Sequence, residues 1–582
     1  MKNEKEKENE NENEILQINR KQFGMQLISQ QNLDSIKQKI SEQKKIEGIF
    51  GIFEWNKSYY LIVIEKSELI GYICKNPIYQ IKKTEIIPFT QKEEKEIENS
   101  KSSRILIKML RKVLQTKGLY YSPSFDLTNS VQKQFERYKN SNEEIDSKYL
   151  NFLNYQGFNS FNTEYLWNKI FIKSFIENQL QNYILPIIMG YIETREFRIN
   201  NKLVQISLIS RRSTFRVGKR YTRRGVNLEG KVTNFVETEQ IIEQSLDQRI
   251  VSFVQIRGSI PLLWSQFPDF RYNPKKKFSE ANEEQVKEAF SKHINQNNEI
   301  YGNQTLVNLI DKKGSELLLE NEFKKQCDIY NKTNTKTPVK YVHFDFHAQC
   351  KNLQWGKLSI LMDQLKEDQQ KYQFFCFEKK ENEEENVIKQ TGIFRTNCVD
   401  CLDRTNVVQG LLARRNLEEE LRKQGIIQEN EKIEDNKELE SYLKNLWANN
   451  ADEISIQYSS TPALKTDYTR TGKRTKKGAL NDLKNSIKRY FLNCYRDWFS
   501  QDSLDIFTGE FDISSHNSKL LDNYNERPFW KLILLILITL LLLIILLISF
   551  GKIGKNLTKK TSRKLLGFPQ LIKDSSGVKE NI

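Results

Sequence analysis

Cysteine is scarce in this chain: seven residues in 582. The number is odd and the spacing irregular, which excludes the disulfide framework of a small secreted domain. Apolar residues are also few, at 38 %, while Asn, Lys, Glu, Gln and Ile are over-used, so polar stretches are weaker evidence of disorder than usual. The opening MKNEKEKENENENE has no apolar core and does not read as a signal peptide. Its alternating charge makes residues 1–29 a disordered tail. No internal repeat is visible. Charge, by contrast, is abundant and unbalanced. A net +16 favours an anionic partner such as nucleic acid, an acidic membrane surface or a phosphorylated substrate. Aromatics interleaved with the basic clusters, which single-stranded nucleic-acid binding favours, are limited to Phe215, Tyr221 and Tyr468. Nucleic acid is therefore not expected as a partner.

The length allows two or three domains. Short runs rich in Ile, Tyr and Val (GIFGIFEW, SYYLIVIEK, ELIGYICK) fill residues 47–89 and predict strands. Residues 91–116 carry Ile105, Leu106, Met109, Leu110 and Val113 at helical spacing. From about Pro186 to 512, the strand-like VQISLIS, SFVQIRGSIPLLW, VKYVHFDFH and YQFFCFEK alternate with helical patterns at 413–423 and 437–448. The fold class is mixed α/β, in layers. One long apolar run exists, Leu532–Phe550, with 19 residues and no charge. It predicts a transmembrane helix within 529–551, after a polar linker (513–528) and before a basic tail (552–582). Basic residues dominate the tail, which places it in the cytosol by the positive-inside rule. One span and a shallow hairpin both stay open for this segment.

Residues 395–406 read RTNCVDCLDRTN. Cys398 and Arg404 have the spacing C-x5-R, between a strand-like QTGIFRTN and helical spacing at Val407, Val408, Leu411, Leu412 and Leu417. A cysteine phosphatase needs this arrangement. The intervening residues wrap a turn whose N–H groups form an anion nest, and the following helix aims its N-terminus at the same point. The positive surroundings favour a thiolate nucleophile, and the arginine forks two donors onto phosphate oxygens. The bare pattern occurs too easily by chance to carry this alone. Its rivals are a solvated Asp/Arg turn, a redox CxxC, or zinc, for which no second pair of ligands follows.

The whole twelve-residue string resembles the signature of the Sac-domain phosphoinositide phosphatases. Further blocks resemble that family in its order: GIFGIFEWNKSYYLIVIEK, YSPSFDLTNSVQ, SRRSTFRVGKRYTRRGVNLEGKVTNFVETEQII, SFVQIRGSIPLLWSQ, YVHFDFH and ALKTDYTRTGKRTKKGALNDLKNSIKRYFLN. The resemblance implies a β-rich Sac N-terminal domain (30–180) packed on an α/β cysteine-phosphatase catalytic domain (181–512). With the apolar run it points to the membrane-anchored branch of the endoplasmic reticulum and Golgi, acting on phosphatidylinositol 4-phosphate with the catalytic domain facing the cytosol. Cys398 matches the nucleophile, which would form a cysteinyl-phosphate, and Arg404 matches the phosphate-binding arginine. Asp400 and Asp403 are the candidates for general acid, Asp400 preferred, with Asp345 outside the loop. Asp403 bracing the turn is an equal reading for that residue. The implied substrate contacts are Val399, Cys401, Leu402 and Thr405 in the loop, and Lys473 and Arg474 beyond it.

His343 and His347 have H-x3-H spacing, but VHFDFH alternates as a strand does and no third ligand is apparent. No metal or cofactor is expected. Two basic clusters (Arg211, Arg212, Arg216, Lys219, Arg220, Arg223, Arg224; and Lys465, Arg470, Lys473, Arg474, Lys476, Lys477) are expected to face an anionic membrane. A protein tyrosine or dual-specificity phosphatase would use the same loop. A phosphoinositide-binding adaptor would not need Cys398 and Arg404.

Overall fold

In the computed structural model, residues 45–89, 100–140, 161–178, 183–244, 249–269, 273–351, 354–379 and 385–512 are described, with a few isolated positions and two strands nearer the N-terminus. Those two, Glu14–Asn19 (β1) and Gly24–Ser29 (β2), pair antiparallel within the segment whose composition reads as a disordered tail. The chain divides into a unit of residues 1–524 and a second of 525–582. The run Leu532–Phe550 lies outside the described residues apart from Ile538, Thr539, Leu541, Leu542 and Ile545, and the linker and basic tail lie almost wholly outside them. Among the described residues no helix is long and apolar enough to cross a membrane.

One mixed sheet organises the first unit. Gly48–Trp55 (β3), Ser58–Ile73 (β4) and Asn76–Pro88 (β5) form a meander in which SYYLIVIEK and ELIGYICK are one long strand rather than two. Register shifts between Ile64 and Ser67 bend that strand without ending it. Leu119–Tyr121 (β6) joins β5 to Ile187–Ile199 (β7). The sheet thus crosses without interruption from the strands before residue 181 into those after it. Lys202–Arg212 (β8), Val236–Gln244 (β9) and Arg249–Arg257 (β10) continue it antiparallel. Beyond β10 the pairing turns parallel. Trp264–Ser265 (β11) and Lys277–Phe278 (β12) make a separate two-stranded piece. Asn303–Asn308 (β13), Lys340–His343 (β14) and Gly392–Asn397 (β17) then complete the order β14-β13-β17-β10, while Phe375–Glu378 (β15) and Asn386–Ile388 (β16) add to the opening half of β10.

Helices cover this parallel part. The helix Glu283–Tyr301 starts at a capping box, Asn282 with Gln285, and stops at Gly302, whose φ of +78° ordinary residues rarely adopt. Asp403–Lys423 buries Val408, Leu412, Leu417 and Leu421 against the sheet, close to the sequence pattern. YVHFDFH departs from expectation: the strand ends at His343, and Asp345 caps a short helix by accepting the Ala348 N–H (2.9 Å). His347 therefore lies on a helix, off the strand that holds His343.

The first basic cluster is largely internal, contrary to the membrane-facing expectation. Arg211, Arg212, Lys219 and Arg224 are all buried. Arg211, fully buried, pairs with Glu237 (3.0 Å) and Glu239 (2.6 Å) and donates to the Leu127 and Asn129 carbonyls. Burying these charges is tolerable only because each has partners on several sides. Removing one partner strands the others. Arg211→Met, leaving Glu237 and Glu239 uncompensated, is expected to destabilise the fold by about 3 kcal/mol or more, read as a lower urea midpoint.

Candidate active site

The carboxyl ends of β10, β13, β14 and β17 lie level: Arg257 pairs with Thr396, and Asn308 with both His343 and Asn397. In open α/β sheets ligands bind outside such ends. β17 delivers the chain to this edge, it turns through residues 398–402, and the helix Asp403–Lys423 follows.

The turn is shaped from outside. Arg224 donates from Nη1 to the Val399 carbonyl (3.0 Å), and the Asn234 amide donates to the Asp400 carbonyl (3.1 Å). Cys401, at φ +53°, donates its thiol to the Gly258 carbonyl (2.8 Å) and to the Cys398 carbonyl (3.1 Å). A planar trans peptide points its N–H opposite its C=O. With partners fixing three successive carbonyls, the N–H groups of Val399, Asp400 and Cys401 each point away from the partner of the preceding carbonyl. None of the N–H groups from Val399 to Leu402 donates to a protein acceptor among the described residues, and the helix has no side-chain cap. Free N–H groups converging at a helix N-terminus make a site for an anion.

The side chains divide by task. Cys398 follows β17 directly and is 2 % exposed. Arg404 donates from Nη1 to the Leu309 carbonyl (2.9 Å) and faces Asp311 (3.5 Å) and Glu316 (3.4 Å). Its Nε and Nη2 meet no protein acceptor among the described residues. Burial alone would lower its pKa, but Cys398, Glu316, Asp311 and Asp400 more than reverse this and raise it. Thr405 is fully buried with Oγ1 unpartnered. Leu402 packs with Val236, Ile454 and Tyr458. Burial pushes the Cys401 thiol up to about 12. All seven cysteines are free.

The two loop aspartates differ. Asp400 is gripped by Arg220 (2.7 Å) and Arg224 (2.6 Å). Burial works against its charge, yet the two guanidiniums hold its pKa well below the usual carboxylate range. It is a bound carboxylate, whereas a general acid must carry a proton. Asp403 is raised by burial, and its Oδ1 accepts the Leu464 N–H (3.1 Å), bracing a neighbouring segment rather than its own turn. Asp345 is spent on capping: burial raises it, but the Lys312 and Ala348 N–H groups bring its pKa down.

Cys398, Val399, Asp400, Cys401, Leu402, Asp403, Arg404 and Thr405 are thus brought into one turn. Lys473 and Arg474 are not in contact with it. Lys473 is exposed, and Arg474 pairs with Asp467 and Asp482. His343 bonds the Ile310 carbonyl and His347 bonds Asp311, both at 2.8 Å. Among the described residues no cluster of His, Cys, Asp or Glu is arranged to hold a metal ion.

Two cations escaped the sequence reading. Arg257, fully buried at the end of β10, reaches Asn406 with Nη2 (3.3 Å) but leaves Nε and Nη1 unpartnered. Burial lowers its pKa to about 10, opposed by the charges of Cys401 and Cys398. Lys276 donates to Ser315 (3.0 Å), and its pKa is lowered by burial and by the nearby Arg224 and Arg404, against Glu316 and Asp400. Arg257 lies in SFVQIRGSIPLLWSQ and Lys276 in the run NPKKKFSE, and neither carries a local signal that marks it as adjacent to the loop.

A strand, an anion-binding turn and a helix at the carboxyl edge of a mixed sheet define an anion-handling site. The SacI homology domain family matches residues 47–351, more than half of the chain. A phosphatidylinositol-3-phosphatase SAC1-B of Danio rerio is 36 % identical over 494 residues, covering 84 % of this chain and 80 % of its own. A phosphoinositide phosphatase SAC7 of Arabidopsis thaliana is 35 % identical over 508 residues (86 % and 80 %). A phosphatidylinositol-3-phosphatase SAC1 of Saccharomyces cerevisiae is 34 % identical over 482 residues (81 % and 73 %). The chain belongs to the SacI homology family.

Asp400 supplies a direct test of the loop's electrostatics. Asp400→Ala leaves Arg220 and Arg224 without their shared counter-charge and is expected to cost about 3 kcal/mol. Because the folded-state pKa is depressed, the stabilisation is present above about pH 4 and lost only as pH falls through the folded value. The difference between the two proteins' urea midpoints should be constant from about pH 5 to 8 and shrink under more acidic conditions.

Proposed function

We propose that this chain is a phosphoinositide phosphatase that works through a cysteinyl-phosphate on Cys398. The observation that carries the reading is the turn itself, where three carbonyls fixed by side-chain donors, N–H groups without a protein acceptor among the described residues, and the open fork of Arg404 adjoin Cys398 in a member of this family. The phosphate dianion sits on the N–H groups of the turn, with Arg404 forking two of its oxygens. The Cys398 thiolate attacks phosphorus, the bond from phosphorus to the inositol oxygen breaks, and that oxygen takes up a proton. Water then attacks the phosphoenzyme, releasing inorganic phosphate and the thiolate. Asp403 is the proposed proton donor, since its pKa is raised while Asp400 is held ionised. Val399, Cys401 and Leu402 contribute backbone donors, and Thr405 offers its free hydroxyl to the thiolate.

For the ring position, resemblance to the membrane-anchored branch favours the 4-phosphate, although the names of the animal and yeast relatives specify the 3-phosphate. The same resemblance, with the run Leu532–Phe550, supports an endoplasmic-reticulum or Golgi membrane with the catalytic region facing the cytosol.

The test is phosphate release from a full set of phosphoinositides in vesicles, with chelator present. Cys398→Ser should abolish release, and Arg404→Lys should lower it about 100-fold through loss of the planar fork. Asp403→Asn should lower kcat about 100-fold or more and remove the alkaline limb of the pH profile. Release from a 3-phosphate in preference to a 4-phosphate would reverse the ring assignment, and release unaffected by Cys398→Ser would end the covalent mechanism.

A further inference from the structure

The helix Lys476–Tyr495 turns an apolar stripe to solvent. Leu480, Leu483 and Ile487, spaced i, i+3 and i+7, are 66 %, 57 % and 51 % exposed. They share one face at 3.6 residues per turn, while the buried Gly478, Arg489 and Asn493 hold the opposite face to the protein. Lys477, Lys484 and Lys488 run along one flank of the stripe, and Lys473 and Lys476 lie at its start. None of these five lysines has a carboxylate partner among the described residues. The one acidic residue of the helix, Asp482, points away and is engaged by Arg474 and the Lys465 N–H.

This helix is coupled to the active site. Arg489 donates to the Thr461 hydroxyl (2.7 Å) and the Pro462 carbonyl (2.7 Å), and the same segment continues to Leu464, which bonds Asp403. On its other side Cys494 contacts the Asp269 carbonyl (3.7 Å). The segment holding Asp269 runs back through Phe267, itself 57 % exposed, to Gln266, the partner of Arg224. An apolar stripe flanked by unpaired lysines matches an acidic bilayer, where the side chains enter the headgroup region and the lysines meet anionic lipid.

We propose that Leu480, Leu483 and Ile487, with Lys477, Lys484 and Lys488, form a docking surface for an anionic lipid bilayer that brings the loop at Cys398 to its substrate. The proposal rests on the phosphoinositide reading, which supplies a substrate embedded in such a surface. It differs from that reading in assigning the docking to residues that do not touch the phosphate being hydrolysed.

The test uses the full chain reconstituted in phosphatidylcholine bilayers with or without phosphatidylserine. An environment-sensitive fluorophore is placed at Leu483→Cys in a Cys398→Ser, Cys494→Ser background, because the remaining five cysteines are buried. The expected result is a blue shift and quenching by nitroxide-labelled lipid in the anionic bilayer alone, reversed by salt on the order of 0.5 M and lost in K477E/K484E/K488E. Emission of a water-exposed dye in both bilayers overturns the proposal. So does a blue shift insensitive to nitroxide lipid, which assigns the stripe to another protein surface. In the activity arm, Leu480→Asp with Leu483→Asp should lower hydrolysis of vesicle-borne phosphoinositide about tenfold or more, leaving a short-chain, monomeric phosphoinositide unaffected. Equal loss on both substrates means a structural role and overturns the proposal. A wild-type chain that hydrolyses neither substrate would sink the phosphatase reading, and the fluorescence would still decide the docking.

Discussion

A single guanidinium holds the turn after Cys398 in shape. Arg224, almost fully buried, spreads its donors over the Val399 carbonyl, the Asp400 carboxylate, the Tyr458 hydroxyl and the Gln266 amide oxygen. Three segments far apart in the chain meet on one planar group, and each bond fixes a direction rather than only a distance. The bond to Val399 matters most, because turning that carbonyl outward is what turns the next N–H inward. A lysine in its place would be a point charge and would leave the peptide free to rotate.

Arg224 is itself held by an irregular segment, residues 213–235, that has no ladder of its own between β8 and β9. Basic side chains stitch that segment together. Arg212 bonds the Gly218 carbonyl, Arg216 bonds those of Arg224 and Gly225, Lys219 bonds that of Gln457, and Arg223 bonds that of Val217. A segment without secondary structure must place its backbone acceptors somewhere, and here buried and half-buried cations donate to them. That is why the densest basic stretch of the sequence faces inward.

The sequence carried the parts of this architecture that are local. RTNCVDCLDRTN, with a strand before it and helical spacing after it, is enough to place Cys398 and Arg404 at a turn, and the structure forms that turn between β17 and the helix Asp403–Lys423. What depends on distant partners was illegible. Nothing near Asp400 in the chain announces that residues 220 and 224 lie on it, so it read as an acid when it is an ion-paired brace. Burial of Arg211 beside Glu237 and Glu239 is equally non-local, and a run of arginines looks the same whether it meets water or carboxylates. His343 and His347 are separated for a local reason: Asp345 between them is a strong helix-capping residue.

The strand order also fixes a schedule. From β3 to β10 nearly every strand pairs with its neighbour in sequence, so this half can zip together as the chain emerges from the ribosome. The other half cannot. β17 is inserted between β10 and β13, and until residue 397 arrives those two strands keep one edge open, with well over a hundred residues between β10 and its eventual neighbour. Open edges invite foreign pairing. The strand that closes them is the one that leads directly into Cys398, so the turn proposed to bind phosphate is formed by the same late event that makes the sheet safe from aggregation.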